Sequence, residues 1–130
     1  MKFMLGVVTI TILTLVSQSG SMAQQSQGGA CATPGTAVLA NVPATRAQIL
    51  PSMGRQIAGY GRQAIVGHCL ITLVCVGTDK SDQARDVARG QCVAVRDYLV
   101  RSGFPKANID TSRKNPGNGR APGMVYFSLQ

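Results

Sequence analysis

The sequence predicts an α+β fold of the order βαβαββ, a two-layer sandwich in which two helices pack on a mixed β-sheet. Three features indicate this fold. The apolar run HCLITLVCVG (68–77) is the strongest strand signal. Segments on both sides of it carry apolar residues at helical spacing. Short strand-like segments stand at both ends of this arrangement, and a turn-rich loop separates the last two of them.

The first 23 residues have the pattern of a secretory signal peptide. Lys2 provides a positive start, Met4 to Val16 are mostly apolar, and Ser21 to Ala23 form a small-x-small cleavage site. No later stretch approaches the roughly 18 apolar residues that a membrane span requires. We therefore expect an exported chain whose mature form begins near Gln24 and has no transmembrane span.

The mature chain is expected to hold one small domain and to be basic. Residues 24–35 are rich in Gln, Gly and Ser and predict a flexible leader, followed by a domain over 36–130. The full sequence has 13 basic and 5 acidic side chains, and every acidic residue is Asp. This charge suits an anionic partner such as a cell-wall polymer, lipid headgroups or nucleic acid, although it also serves solubility.

The first strand and helix are predicted at residues 36–42 and 51–60. TAVLANV (36–42) is a plausible short strand. The next segment has helical periodicity, and Pro51 fits the first helical position because proline lacks the N–H that is unpaired there. Gly54 and Gly59 weaken this helix.

The central strand and second helix follow. The apolar residues of 68–77 are continuous rather than alternating, which predicts a central strand covered on both faces. Ser81 is a suitable N-cap, and Gly103 with Pro105 ends the helix. The stripe predicted to face the sheet comprises residues 84, 87, 88, 92, 95, 98 and 99. Strands are then predicted at 108–114 and 124–130, joined by a turn-rich loop.

Four cysteines in a short exported chain predict two disulfides rather than a metal site. Within one continuous strand, Cys69 and Cys75 would lie ~20 Å apart, beyond the ~7 Å Cα separation that a disulfide allows. That excludes their bond and, with it, a bond between Cys31 and Cys92. Of the two remaining pairings we prefer 31 with 69 and 75 with 92, because the first pair shares a sheet edge and Cys92 lies on the helix returning from Cys75.

Catalysis and nucleic-acid binding find little support. His68 is the only histidine and has no carboxylate near it in sequence, so no triad is indicated, and we expect a partly exposed edge residue there. Neither a metal site nor a cofactor motif is recognisable. Few aromatic side chains are available to stack on bases, so we expect a non-enzymatic protein that does not bind nucleic acid.

The run VGTDKSDQARDVARGQCVAVRDYLVRSGFPKANID (76–110) resembles the OmpA-like (outer membrane protein A C-terminal) peptidoglycan-binding domain family. That family has a GHTD motif followed by LSxxRAxxVxxYLxxxGIxxxxI. The matching residues here are Thr78-Asp79, Val95, Tyr98-Leu99, Gly103-Phe104 and Ile109. Detailed matches are confined to residues 76–109, whereas the order of elements agrees over about 36–129.

The resemblance implies binding to the peptide stem of peptidoglycan. In the family, the Asp of the TD motif engages the ammonium group of the stem's diamino acid, and the Arg of LSxxRA binds a carboxylate through its fork. Asp79 stands at the position of that Asp, but Gln91 stands at the position of that Arg. The Gly-His before the TD motif and the paired arginines of the closing GRxxNRR are also missing.

Two arginines of the second helix are candidates to replace the missing cation. Arg85 and Arg89 precede Gln91 and either could reach toward Asp79 or a ligand carboxylate. Alternatively, these arginines belong to a solvated helix face with ordinary ion pairs. Asp79 has an alternative role too, as a turn residue that helps Thr78 and Ser81 to cap the helix.

We therefore expect a cell-envelope protein of the periplasm, associated with the outer membrane or cell wall. Its candidate peptidoglycan-binding residues are Thr78, Asp79, Arg85, Arg89 and Gln91. The alternative is a degenerate OmpA-like structural subunit of an envelope or secretion complex, which binds protein rather than glycan.

Overall fold

The computed structural model describes residues 31–130; the predicted signal peptide and most of the predicted leader lie outside them. Two short 3-10 turns precede the first helix and the third strand. The regular elements are strand β1 (Gly35–Leu39), helix α1 (Pro51–Gly67), strand β2 (Ile71–Val76), helix α2 (Asp82–Arg101), strand β3 (Ile109–Lys114) and strand β4 (Val125–Leu129).

The four strands form one mixed sheet in the order β1-β4-β2-β3. The last strand of the chain inserts between β1 and β2 and is antiparallel to both. β3 pairs with β2 in parallel and forms an edge. The predicted α+β fold and its βαβαββ order are therefore confirmed.

Both helices lie on the same face of the sheet. Tyr60 of α1 packs on Phe127 of β4 with ring centroids 4.8 Å apart, and Cys92 of α2 is bonded to Cys75 of β2. Alternate residues of a strand point to opposite faces, so Thr72 and Val74 point away from the helices and are only partly buried. The prediction that β2 is covered on both faces is therefore wrong, although its central position is correct.

Helix α1 begins at Pro51 as predicted but continues to Gly67, seven residues beyond the predicted end. Its glycines allow close packing that offsets their low helix propensity. A Cβ at Gly61 would lie 3.1 Å from a methyl group of Leu99 in α2, and Ala64 is fully buried. The sequence alone indicates a shorter α1. We attribute its greater length to this close contact with α2.

Helix α2 has the predicted cap and ends as predicted. The Ser81 hydroxyl accepts a hydrogen bond from the Ala84 backbone N–H at 3.1 Å. The buried residues of this helix include most of the predicted stripe, but Val87 is 46% exposed and Gln91 is buried instead. The buried face of α2 thus includes Gln91 and excludes Val87, because α2 also packs against the segment after β1.

Two strands are shorter than predicted because a residue in the left-handed conformation turns the chain nearby. β1 ends at Leu39, and Asn41 follows with φ 58°. β2 begins at Ile71, because His68 has φ 58° and caps the end of α1. His68 is exposed, in keeping with the sequence prediction.

Both predicted disulfides are present. Cys31 is bonded to Cys69 and Cys75 to Cys92, with Cα separations of 4.4 Å and 5.8 Å. The first bond ties the segment before β1 to the turn before β2, and the second ties the central strand to α2. Within residues 31–130, no helix is long and apolar enough to cross a membrane.

Candidate functional site

The candidate site lies where β2 ends and α2 begins. Gly77 is buried and donates its backbone N–H to the carbonyl oxygen of Lys114 at 3.0 Å. A Cβ at Gly77 would lie 3.1 Å from the carbonyl oxygen of Asp79, so glycine allows the chain to turn tightly here. The turn leaves Thr78 and Asp79 exposed to solvent directly before the helix.

Asp79 forms a short turn with the residue that caps α2. One carboxylate oxygen, Oδ1, accepts the backbone N–H of Ser81 at 2.7 Å. The carboxylate is exposed to solvent, so a ligand can still reach it while it holds this turn. The turn role and the ligand role are therefore compatible, since the hydrogen bonds of the turn leave the carboxylate exposed.

Hydrogen bonds from the Ser81 hydroxyl and backbone N–H lower the pKa of the Asp79 carboxyl below its ordinary value of 3.8. Desolvation of the group acts in the opposite direction and is the smallest effect. Asp79 is consequently an anion at neutral pH, held in a defined orientation by its turn.

A shallow concavity of about 230 Å³ adjoins Asp79. The first two turns of α2 form one side of this concavity, and the exposed side chain of Val87 makes part of that side apolar. Its lining residues are Thr78, Asp79, Ser81, Gln83, Ala84 and Val87. The site thus combines one carboxylate, hydroxyl groups and an apolar wall, and no arginine is among its lining residues.

Gln91 lies away from this concavity. It is only 8% exposed, and its side-chain Nε2 donates a hydrogen bond to the carbonyl oxygen of Val42 at 2.9 Å. The neighbouring Gly90 packs so closely on the same segment that an added Cβ would lie 2.9 Å from the carbonyl oxygen of Ala44. Gln91 therefore holds the segment after β1 against α2. Its partner could not be found from sequence, since 49 residues separate the two.

The two candidate arginines have different surroundings. Arg85 forms an exposed ion pair with Asp82 at the start of α2. Arg89 lines a separate groove between α2 and β3. Arg85 is thus near the amino end of the helix, and Arg89 lines a groove that does not include Asp79.

The loop between β3 and β4 approaches the site from the other side. Gly123, with φ 77°, donates its N–H to the carbonyl oxygen of Val76, and an added Cβ there would lie 3.4 Å from the Thr78 methyl group. Arg120 directly follows a two-residue turn of this loop, and its backbone pairs with that of Gly117 across the turn. Residues 31–130 contain no group of three potential metal ligands among His, Cys, Asp and Glu.

Comparison with known proteins identifies the fold. No protein-family model matches the sequence, and no curated protein matches it significantly. Among solved structures, the OmpA-like domain of FopA1 from Francisella tularensis subsp. tularensis SCHU S4 has a TM-score of 0.57 at 15% identity, over 76% of this chain and 77% of that chain. A MotB-like protein from Desulfovibrio vulgaris has a TM-score of 0.59 at 15% identity, over 75% and 76%.

The periplasmic domain of Helicobacter pylori MotB is similar to the same degree. Its TM-score is 0.56 at 14% identity, over 76% of this chain and 77% of that chain. Identities this low establish architecture rather than activity. The fold that the motif resemblance implied is nevertheless confirmed: this chain has the OmpA-like fold.

Proposed function

We propose that this chain is an exported periplasmic protein that associates non-covalently with peptidoglycan, as a divergent OmpA-like domain. The observation that supports this most is the position of Asp79. Its ionised carboxylate is exposed at the junction of β2 and α2, where the family resemblance places the acid that binds the stem peptide. Two disulfides and the similarity to a periplasmic domain also favour export to an oxidising compartment.

Asp79 is the group that engages the ammonium of the stem's diamino acid. Its exposed carboxylate accepts the ammonium, while the hydrogen bond from the Ser81 backbone N–H to Oδ1 keeps the carboxylate in place. Because the carboxylate is already oriented before binding, less entropy is lost when the ligand binds. A single exposed ion pair contributes only about 0–1 kcal/mol, so further contacts with Thr78 and the apolar wall at Val87 are needed.

In this proposal, Arg85 receives a ligand carboxylate. It is the first arginine of α2, and its present partner Asp82 is 91% exposed. Exposed ion pairs of this kind contribute little, so exchanging Asp82 for a ligand carboxylate costs little free energy. Gln91 cannot take this role without breaking its hydrogen bond to Val42.

Co-sedimentation with insoluble peptidoglycan tests the proposal. The mature protein should pellet with peptidoglycan, and Asp79→Asn should leave most of it in the supernatant because the substitution removes the charge that holds the ammonium. Asp110→Asn is the matched control, since it removes the same charge from an exposed position on β3.

Wild-type protein that stays in the supernatant at low salt would contradict the proposal. Pelleting that high salt abolishes and that Asp79→Asn does not affect would show general charge attraction instead, because the chain is strongly basic.

The second candidate is a structural subunit of an envelope complex that binds protein. The burial of Gln91 under Val42 favours it, because the side chain at the family's Arg position supports the fold rather than a ligand. Chemical cross-linking in intact envelopes tests it. A single cross-linked partner protein, together with no pelleting on purified peptidoglycan, would support this candidate over the first.

A further inference from the structure

A basic groove separates helix α2 from the edge strand β3. Its volume is about 280 Å³. The lining residues are Arg89, Cys92, Val93, Arg96, Thr111, Ser112 and Arg113. We refer to it as the α2–β3 groove. It differs from the concavity at Asp79, with which it shares no lining residue.

The fold places three arginines around this groove. Arg89 and Arg96 are seven residues apart on α2, about two helical turns or ~10 Å. Arg113 pairs in register with Cys75, so its side chain is on the helix-bearing face of the sheet. Because Cys75 is bonded to Cys92, a disulfide fixes the helix over the strand and sets the groove's width.

The arginines of the groove are poorly neutralised. Arg89 and Arg113 have no carboxylate partner within 4.0 Å among the described residues. Arg96 has Asp97 nearby, but the distance from Nε to Oδ1 is 3.6 Å, too long for a hydrogen bond. The Nε atom of Arg96 is buried and has no hydrogen-bond partner in the described chain. Among the described residues, the three guanidinium groups therefore have only one carboxylate within 4.0 Å, that of Asp97 beside Arg96.

Charge on an edge strand commonly prevents strand-to-strand aggregation, and Arg113 and Lys114 would serve that purpose without any ligand. Arg96 does not fit this explanation. It belongs to the helix, its side chain is only 28% exposed, and its buried Nε lacks the partner that a buried polar atom normally has. A bound anion would supply one.

We propose that the α2–β3 groove binds a phosphomonoester group. Such a group carries a charge of about −1.5 to −2 at pH 7 and has three strong acceptor oxygens. Three arginines less the charge of Asp97 leave a net charge that a phosphomonoester neutralises, whereas a single carboxylate would leave about one positive charge uncompensated. Thr111, which pairs with buried Leu73 and so faces the helix layer, adds a hydroxyl to the lining.

Nuclear magnetic resonance titration of the mature protein with glycerol 3-phosphate tests the proposal. Saturable shifts are expected for the backbone amides of 89–96 and 111–113, with little change at 78–84. The double substitution Arg96→Gln/Arg113→Gln should weaken binding at least tenfold. The control Arg55→Gln/Arg62→Gln removes the same charge from exposed positions of α1 and should leave the affinity within about twofold.

Vesicles distinguish a lipid headgroup from a free phosphate ester. Phosphatidic acid carries a phosphomonoester and phosphatidylglycerol a phosphodiester, so at matched surface charge a headgroup site should favour phosphatidic acid, and the groove substitutions should abolish the preference. Binding of glycerol 3-phosphate without this preference would assign the groove to soluble esters.

Three results would overturn the proposal. They are the absence of saturable binding, equal weakening in the groove and control variants, and a hexaglutamate peptide that displaces glycerol 3-phosphate from the same residues at much lower concentration. The last result would assign the groove to an acidic protein segment. Failure of this site leaves peptidoglycan association through Asp79 untouched, because the two sites share no lining residue.

Discussion

Asp79 and Gln91 show how far single residues can be interpreted from sequence. Asp79 follows a strand and precedes a helix cap two residues later, so its turn and exposure depend on neighbours in the chain. Gln91 depends on Val42, which the fold brings from the segment after β1. The sequence could therefore predict the turn at Asp79, but it could not show that Gln91 supports the fold.

Replacing Gln91 should destabilise the protein. Gln91→Ala leaves the buried carbonyl group of Val42 without its donor, which should lower the free energy of unfolding by about 1–3 kcal/mol. Gln83→Ala, on the exposed side of the same helix, should change it by no more than about 0.5 kcal/mol. Urea unfolding followed by circular dichroism measures both, and equal stabilities would contradict the structural role of Gln91.

The lowered pKa of Asp79 predicts how binding depends on pH. Its carboxyl group is ionised at every pH well above 3.8. Peptidoglycan association should therefore be constant between about pH 5 and pH 8 and decline only below about pH 4. The same sign applies to stability: the contribution of Asp79 is complete above the unfolded-state pKa and is lost as pH falls through the lower folded-state value. Co-sedimentation at a series of pH values tests this, and binding that already declines above about pH 5 would contradict it.

At the scale of elements, periodicity predicted the type and order of the helices and strands well, but it predicted their buried faces less well. Local signals located both helices, the Ser81 cap and the turn-rich loop. The apolar run of β2 indicated two covered faces, yet the structure covers one, because both crossings place their helices on the same side. The length of α1 also escaped prediction, since it rests on contact between glycines and the other helix.

Glycine substitutions in the helices should separate packing from propensity. Gly90→Ala introduces a Cβ only 2.9 Å from the backbone carbonyl oxygen of Ala44, so overpacking should destabilise the protein by about 1–3 kcal/mol. Gly59→Ala meets only the end of the Arg62 side chain at 3.8 Å and should stabilise it by about 0.5–1 kcal/mol. Chemical unfolding of both variants provides the comparison. A stabilised Gly90→Ala protein would show that α2 does not pack tightly on this segment.

For the whole molecule, the disulfides connect sequence, stability and compartment. The bonds span 38 and 17 residues, for which loop-closure entropy gives about 4 and 3 kcal/mol. A small domain has a total stability of about 5–15 kcal/mol, so the two bonds supply a large part of it. A chain of this kind is suited to an oxidising compartment.

Removal of one bond should therefore be measurable by thermal unfolding. Cys75→Ala/Cys92→Ala should lower Tm by about 12–24 °C, since the bond contributes about 3 kcal/mol and 1 kcal/mol corresponds to about 4–8 °C in a domain of this size. Excess reductant should lower the Tm of the wild type further, because it also breaks the bond of Cys31 to Cys69. An unchanged Tm after complete reduction would show that the disulfides contribute little.

Peptidoglycan association through the junction of β2 and α2 is tested most directly by locating a bound stem peptide. Nuclear magnetic resonance titration with a soluble stem peptide that contains a diamino acid should shift the amides of residues 78–85, and Asp79→Asn should abolish these shifts. A matched peptide whose side-chain ammonium is acetylated should not bind. Shifts confined to other residues, or binding that acetylation does not weaken, would contradict the proposed site.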